Sequence, residues 1–233
     1  MRRTISILVV MFIFASCAGT PQNSDNSSGE SPEITLEEYS DHIMHYFENK
    51  NDLIIYETIS IYKNKNYTGM LEQVDNIILF FFYGIKTDNI AKYNNFREIV
   101  RTHNLQRLIN IFDVIDNNDI ALFLRQQEPS PELNDIYWTL YFSSGNVQYI
   151  DYLLTIIMQY HNETENLNLY LVVRSAMWSI ASNAMTYPQV RNYATNNRIL
   201  NNELKRYILN TDLNIMRNET VEFIRQQREK GIW

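Results

Sequence analysis

Beyond Cys17 the chain contains no cysteine. Disulfides, thiolate metal sites and a Cys–His nucleophile are therefore excluded from the body of the protein. Glycine and proline are scarce, six and five in 233 residues, which suits helices joined by short turns and disfavours glycine-rich phosphate loops. No G-x-S-x-G elbow and no H-E-x-x-H pair is present, so the commonest hydrolase signatures are missing. Positive charge is also in short supply, with 20 basic against 27 acidic residues and a net charge of −7. Such a balance argues against nucleic acid as a partner and against binding anionic membranes by overall charge.

What is there begins with an address. Arg2 and Arg3 precede an apolar run, Ile5 to Phe14, that only Ser6 interrupts; Ala15, Ser16 and Cys17 follow. A helix needs about 20 apolar residues to cross roughly 30 Å of hydrocarbon. This run is about half that length, so an uncleaved membrane anchor is the weaker reading beside a secretory signal. The segment resembles the lipobox of bacterial lipoproteins. Ala15, Ser16 and Cys17 match it, while Phe14 stands where an aliphatic residue is more usual. The resemblance implies a signal peptide over 1–16 and lipidation (palmitate among the acyl groups) of Cys17 as the mature N-terminus. Residues 17–33 read as a flexible tether rich in Ser, Asn, Gly and Pro. The expected location is the bacterial cell envelope, lipid-anchored and extracytoplasmic, and loss of Arg2 and Arg3 would carry the mature chain to −9.

Residues 34–233 are expected to form a single all-α domain, since 45% hydrophobic content over such a length suffices for a sizeable core. Leu71, Val74, Ile78, Phe81 and Ile85 step as one helical stripe; Leu105, Leu108, Phe112 and Ile115 do the same, as do Ile150, Leu153, Ile157 and Tyr160. Leu79, Phe80, Phe82 and Tyr83 make the first of these helices apolar nearly all round, which predicts a central position. Thr35 to Glu38 reads as a capping box, Ser130-Pro131 and Tyr187-Pro188 as helix starts, and Gly145 as a left-handed C-cap. Helix–turn–helix stretches at 75–93, 134–152 and 175–193 predict antiparallel helical hairpins stacked as a short α-solenoid, with an irregular helix bundle as the alternative. Trp138, Gly145-Asn146, Tyr149-Ile150, Ala176 to Ile180 and Ser182 to Ala184 ahead of Pro188 resemble stretches of uncharacterised bacterial all-α, helical-repeat-like proteins. That resemblance implies a fold and no reaction.

One constellation invites metal chemistry. Glu38, His42 and His45 lie at i, i+4 and i+7 on the first helix, a spacing at which a carboxylate and two imidazoles can ligate zinc or iron. They also fall opposite Leu36, Tyr39, Ile43 and Phe47, which reads as a solvated face. His103 and His161 sit near expected helix ends, the acidic residues of Glu37-Glu38 and Glu163/Glu165 in polar segments, and Arg97 and Arg101 on one helix as candidate rims of a groove. Much of the load of 16 tyrosines, 11 phenylalanines and 3 tryptophans is expected in the core, and surplus tyrosines lining a groove would suit peptide or partner contact. These features predict a membrane-tethered helical module that binds a protein or peptide, with no cofactor. The alternatives are a metal-dependent hydrolase using Glu38, His42 and His45, or a carrier of an apolar ligand.

Overall fold

A computed structural model describes residues 34–233; the expected signal peptide, Cys17 and the expected tether lie outside them. Among the described residues there is no strand, and the chain is all-α. The helices are α1 (Leu36–Asn49), α2 (Ile54–Lys63), α3 (Leu71–Asp88), α4 (Ile90–Thr102), α5 (Gln106–Asn117), α6 (Ile120–Arg125), α7 (Pro131–Ser144), α8 (Gln148–Tyr160), α9 (Leu167–Thr186), α10 (Pro188–Asn196), α11 (Asn202–Asn210) and α12 (Leu213–Glu229), with a 3-10 turn at Lys65–Tyr67. The chain divides into two compact units. One comprises residues 34–122 and 139–145, the other 123–138 and 146–233.

Local chemistry sets the helix ends. At α1 the Thr35 hydroxyl accepts from the backbone N–H of Glu38 at 3.2 Å, and the Glu38 carboxylate accepts from the Thr35 N–H at 2.9 Å. This reciprocal cap also holds the Glu38 carboxyl below its usual range, chiefly through the Thr35 backbone N–H. Thr35→Ala is expected to lower stability by about 1 kcal/mol, read as a lower urea midpoint with an unchanged slope; no change would show the cap to be inert. Ser130 accepts from the Leu133 N–H at the start of α7. Pro188 occupies the first turn of α10, where its missing N–H costs nothing. Gly145 ends α7 at φ +75°, and its N–H donates to the Tyr141 carbonyl at 2.7 Å; a side chain would strain that left-handed turn.

In the first unit α3 is central. It packs on α4 and α5, which also pack on each other. Its Phe81 meets Tyr46 of α1 edge-on, and its Phe82 lies against Phe96 and Phe112. Ile78, Phe81, Phe82, Tyr93, Phe96, Leu108 and Phe112 are at most 1% exposed, so the apolar stripes meet as their spacing predicts. Helix directions follow from the ties at their ends. Lys86 near the end of α3 reaches Asp116 near the end of α5, Tyr93 near the start of α4 reaches the same aspartate, and Asp75 and Arg107 pair near the starts of α3 and α5. Thus α3 and α5 run the same way and α4 runs against both.

In the second unit the twenty-residue α9 is the hub, touching α8, α10, α11 and α12. Four neighbours explain why its buried positions lie on several sides, with Val172, Val173, Ala176, Met177, Ile180, Ala181 and Ala184 all shielded. The alanines allow close approach. Trp233 packs on Tyr170 and Phe223, and its indole N–H donates to the Glu165 carbonyl at 2.8 Å.

Candidate functional site

The residues proposed for metal chemistry do not converge. Glu38 is committed to the α1 cap, His42 Nδ1 lies 3.0 Å from Glu57 of α2, and His45 Nδ1 meets the Asp41 carbonyl at 2.9 Å. Among the described residues no group of three His, Cys, Asp or Glu side chains is placed to hold a metal ion. His103 faces the Lys63 ammonium at 3.2 Å at the end of α4, and His161 Nδ1 meets the Met158 carbonyl at the end of α8. Glu163 accepts from the N–H groups of Glu165 and Asn166 ahead of α9. Each therefore has a local task that the fold itself explains.

The arginines expected to rim a groove are tied down as well. Arg97 donates to Asp116 at 2.7 Å and Arg101 to Glu98 at 3.0 Å. Asp116 is a junction, accepting also from Lys86 at 2.8 Å and from the Tyr93 hydroxyl at 3.0 Å. Burial alone would raise its pKa, but the hydrogen bonds from Lys86, Arg97 and Tyr93 outweigh burial and hold it below the usual carboxylate range. At the opposite ends of α3 and α5, Arg107 grips both oxygens of Asp75, which also accepts from Tyr62 at 2.6 Å. Lys50 pairs with Asp88, and Lys92 with Asp52. The cations of this unit are largely spent on joining helices.

The second unit treats its charges differently. Arg174 is consumed like those above: it donates to Thr220, to the Tyr207 hydroxyl and to the Met216 carbonyl, tying α9 to α11 and α12. Tyr193 donates to Asp151 at 2.5 Å, joining α10 to α8. Burial pushes the Asp135 carboxyl up to about 7, with Glu132 one turn earlier adding to the effect. The α10–α11 hairpin concentrates positive charge. Between Pro188 and Asn210 it carries Arg191, Arg198, Lys205 and Arg206 against the single acid Glu203, a surplus of three positive charges in a chain of net −7.

The hairpin is well made. Val190, Ala194, Leu204 and Ile208 are buried and hold it to the rest of the unit. Asn197 accepts from the N–H groups of Ile199 and Leu200 in the turn, and Asn201 caps α11 through the Leu204 N–H. Lys205 donates to the Asn197 carbonyl at the turn end, and Arg191 reaches the Leu209 carbonyl at the open end. Both therefore sit at helix C-termini, where the dipole favours a cation. Among the described residues none of the four makes an ion pair, whereas Lys50, Lys86, Lys92, Arg97, Arg101 and Arg107 of the first unit do and its exposed Lys63 and Lys65 do not. Arg191, Arg198 and Arg206 are exposed and Lys205 is half-buried. The sequence reading missed this surface because it weighed charge over the whole chain. A running count over residues 188–210 shows it.

No family model matches this chain. No curated protein and no solved structure is significantly similar to it either. The functional reading therefore rests on chemistry alone.

Proposed function

We propose that this protein is an extracytoplasmic bacterial lipoprotein, tethered through a lipidated Cys17, whose helical body binds a protein or peptide partner on the α10–α11 hairpin. The observation that carries the reading is the contrast in how charge is used. In the first unit Lys50, Lys86, Lys92, Arg97, Arg101 and Arg107 meet carboxylates while the exposed Lys63 and Lys65 do not; on the hairpin Arg191, Arg198 and Arg206 are exposed, Lys205 is half-buried, and none of the four meets a carboxylate among the described residues. Exposed charge without a carboxylate partner, on a hairpin backed by buried side chains, contributes little to the fold and is suited to recognition. The anchor rests on the order Arg2-Arg3, apolar run, Ala15-Ser16-Cys17. Among the described residues no helix is long and apolar enough to cross a membrane. Two or more acyl chains, at about 0.8 kcal/mol per buried CH₂, give stable anchoring. The same reading keeps nucleic acid off the partner list.

An intact mass of the protein taken from its own membranes tests this. The expected species starts at Cys17, carries a lipid adduct and holds no metal or small molecule. A mass that retains Met1 to Ser16 removes the anchor. A bound metal or copurified apolar molecule transfers the case to the hydrolase or the carrier.

A further inference from the structure

We infer that the partner recognised by the α10–α11 hairpin is an acidic segment of a protein, a short stretch presenting several carboxylates; this rests on the reading of the hairpin as the contact surface. The cations are spread along it. Lys205 and Arg198 lie at the turn, Arg206 one residue beyond Lys205, and Arg191 at the far end beside Leu209. Helices of nine residues are about 13 Å long at roughly 1.5 Å per residue. About four residues of extended peptide span that length, so alternate acidic side chains reach cations at both ends. Three of the four cations are arginines, whose planar fork suits a carboxylate held by two hydrogen bonds. Arg198 and Arg206 have no protein acceptor to give up on binding, since neither makes a side-chain hydrogen bond or ion pair among the described residues.

Charge also decides between anionic partners. The hairpin is +3 and the whole chain −7, which leaves −10 on everything else. Screening confines the attraction to about 8 Å at physiological salt. A short acidic segment covers the hairpin alone and feels its positive charge. A nucleic-acid duplex or a bilayer plane extends well past it and meets the acidic remainder.

The test uses the full chain in uncharged detergent and a labelled poly-glutamate peptide as probe, with binding read by fluorescence anisotropy. The peptide is expected to bind, and more weakly as salt is raised. The fourfold variant Arg191→Gln, Arg198→Gln, Lys205→Gln, Arg206→Gln should weaken binding about tenfold, the sum of several exposed charge pairs, with its helical circular dichroism unchanged. A double variant on α12, Arg225→Gln with Arg228→Gln, should bind as the parent does, because Arg225 already serves Glu222 and Glu229 and Arg228, though exposed and without an ion pair among the described residues, lies outside the hairpin. Absent binding, or equal loss in both variants, overturns the inference. So does hairpin-dependent binding of a DNA duplex or of phosphatidylglycerol vesicles in place of the peptide. Self-association that the fourfold variant abolishes would make a second copy the occupant and overturn it too. The intact mass separates the two claims: a clean Cys17-lipidated species that ignores poly-glutamate loses the acidic partner alone, while a bound metal or ligand loses the module.

Discussion

Gly84→Leu is expected to abolish cooperative folding or to lower stability by about 3 kcal/mol or more. Gly84 lies in α3, buried, where the helix passes the end of α7. A Cβ built there would sit 1.8 Å from Ser143 Oγ, 3.0 Å from Ser143 Cβ and 3.3 Å from the Leu140 carbonyl. Ser143 is itself fully buried and its hydroxyl donates to that carbonyl at 3.0 Å. The hydroxyl can rotate away; the Ser143 Cβ and the backbone cannot. Gly84→Ala isolates the effect. On helix propensity alone it would stabilise by about 1 kcal/mol, and the close approach should turn that into a net loss of about 1–3 kcal/mol. Adding Ser143→Gly to Gly84→Ala should recover part of the loss. Urea denaturation followed by circular dichroism measures all three. A stabilised Gly84→Ala would show that the two helices do not approach this closely.

Asp116→Ala carries the second large effect. Removing the carboxylate deprives Lys86, Arg97 and the Tyr93 hydroxyl of a shared acceptor. Lys86 keeps the Ile115 carbonyl at 3.1 Å and Tyr93 the Phe112 carbonyl at 3.3 Å, but Arg97 keeps only a 3.7 Å approach to Glu98. About three-quarters of each charged side chain is shielded from water, so the cost is expected near 2–3 kcal/mol, below that of a fully buried pair. Asp116→Asn should cost less, since its oxygen still accepts. The pH dependence has a definite sign. Asp116 has a folded pKa below its unfolded one, so its contribution is fully present above the unfolded value near 4. It is lost as pH falls through the folded value. The parent should lose stability below about pH 4, and Asp116→Ala should lose less over the same window. Equal slopes for parent and variant would remove Asp116 from the network.

Much of the fold was legible because helix physics is local. Of the stripe Leu71, Val74, Ile78, Phe81 and Ile85, all but the half-buried Val74 are buried as the spacing requires, and the unstriped Phe80 and Phe82 correctly marked a helix with neighbours on several sides. Thr35, Ser130, Pro188 and Gly145 start or stop helices where backbone chemistry says they should. The candidate site was less legible. Helical spacing brought Glu38, His42 and His45 to one side of α1, but Glu57 of α2 engages His42 and the Thr35 cap engages Glu38. Spacing records which residues share a face and says nothing of what a second helix brings to it.

By itself, then, the sequence determined the helical class, the helix ends, the apolar stripes and the absence of cysteine chemistry from the body, because each depends on residues within a turn or two of one another. The order of residues at 1–17 likewise carries the whole case for the lipid anchor. Only the tertiary structure decided which charges are spent. Arg97 and Arg206 are alike in sequence terms, each an arginine on an amphipathic helix. One meets Asp116, nineteen residues away, and the other meets no carboxylate. An ion pair forms where packing brings opposite charges within about 4 Å, and that distance is set by how helices from separate parts of the chain lie together.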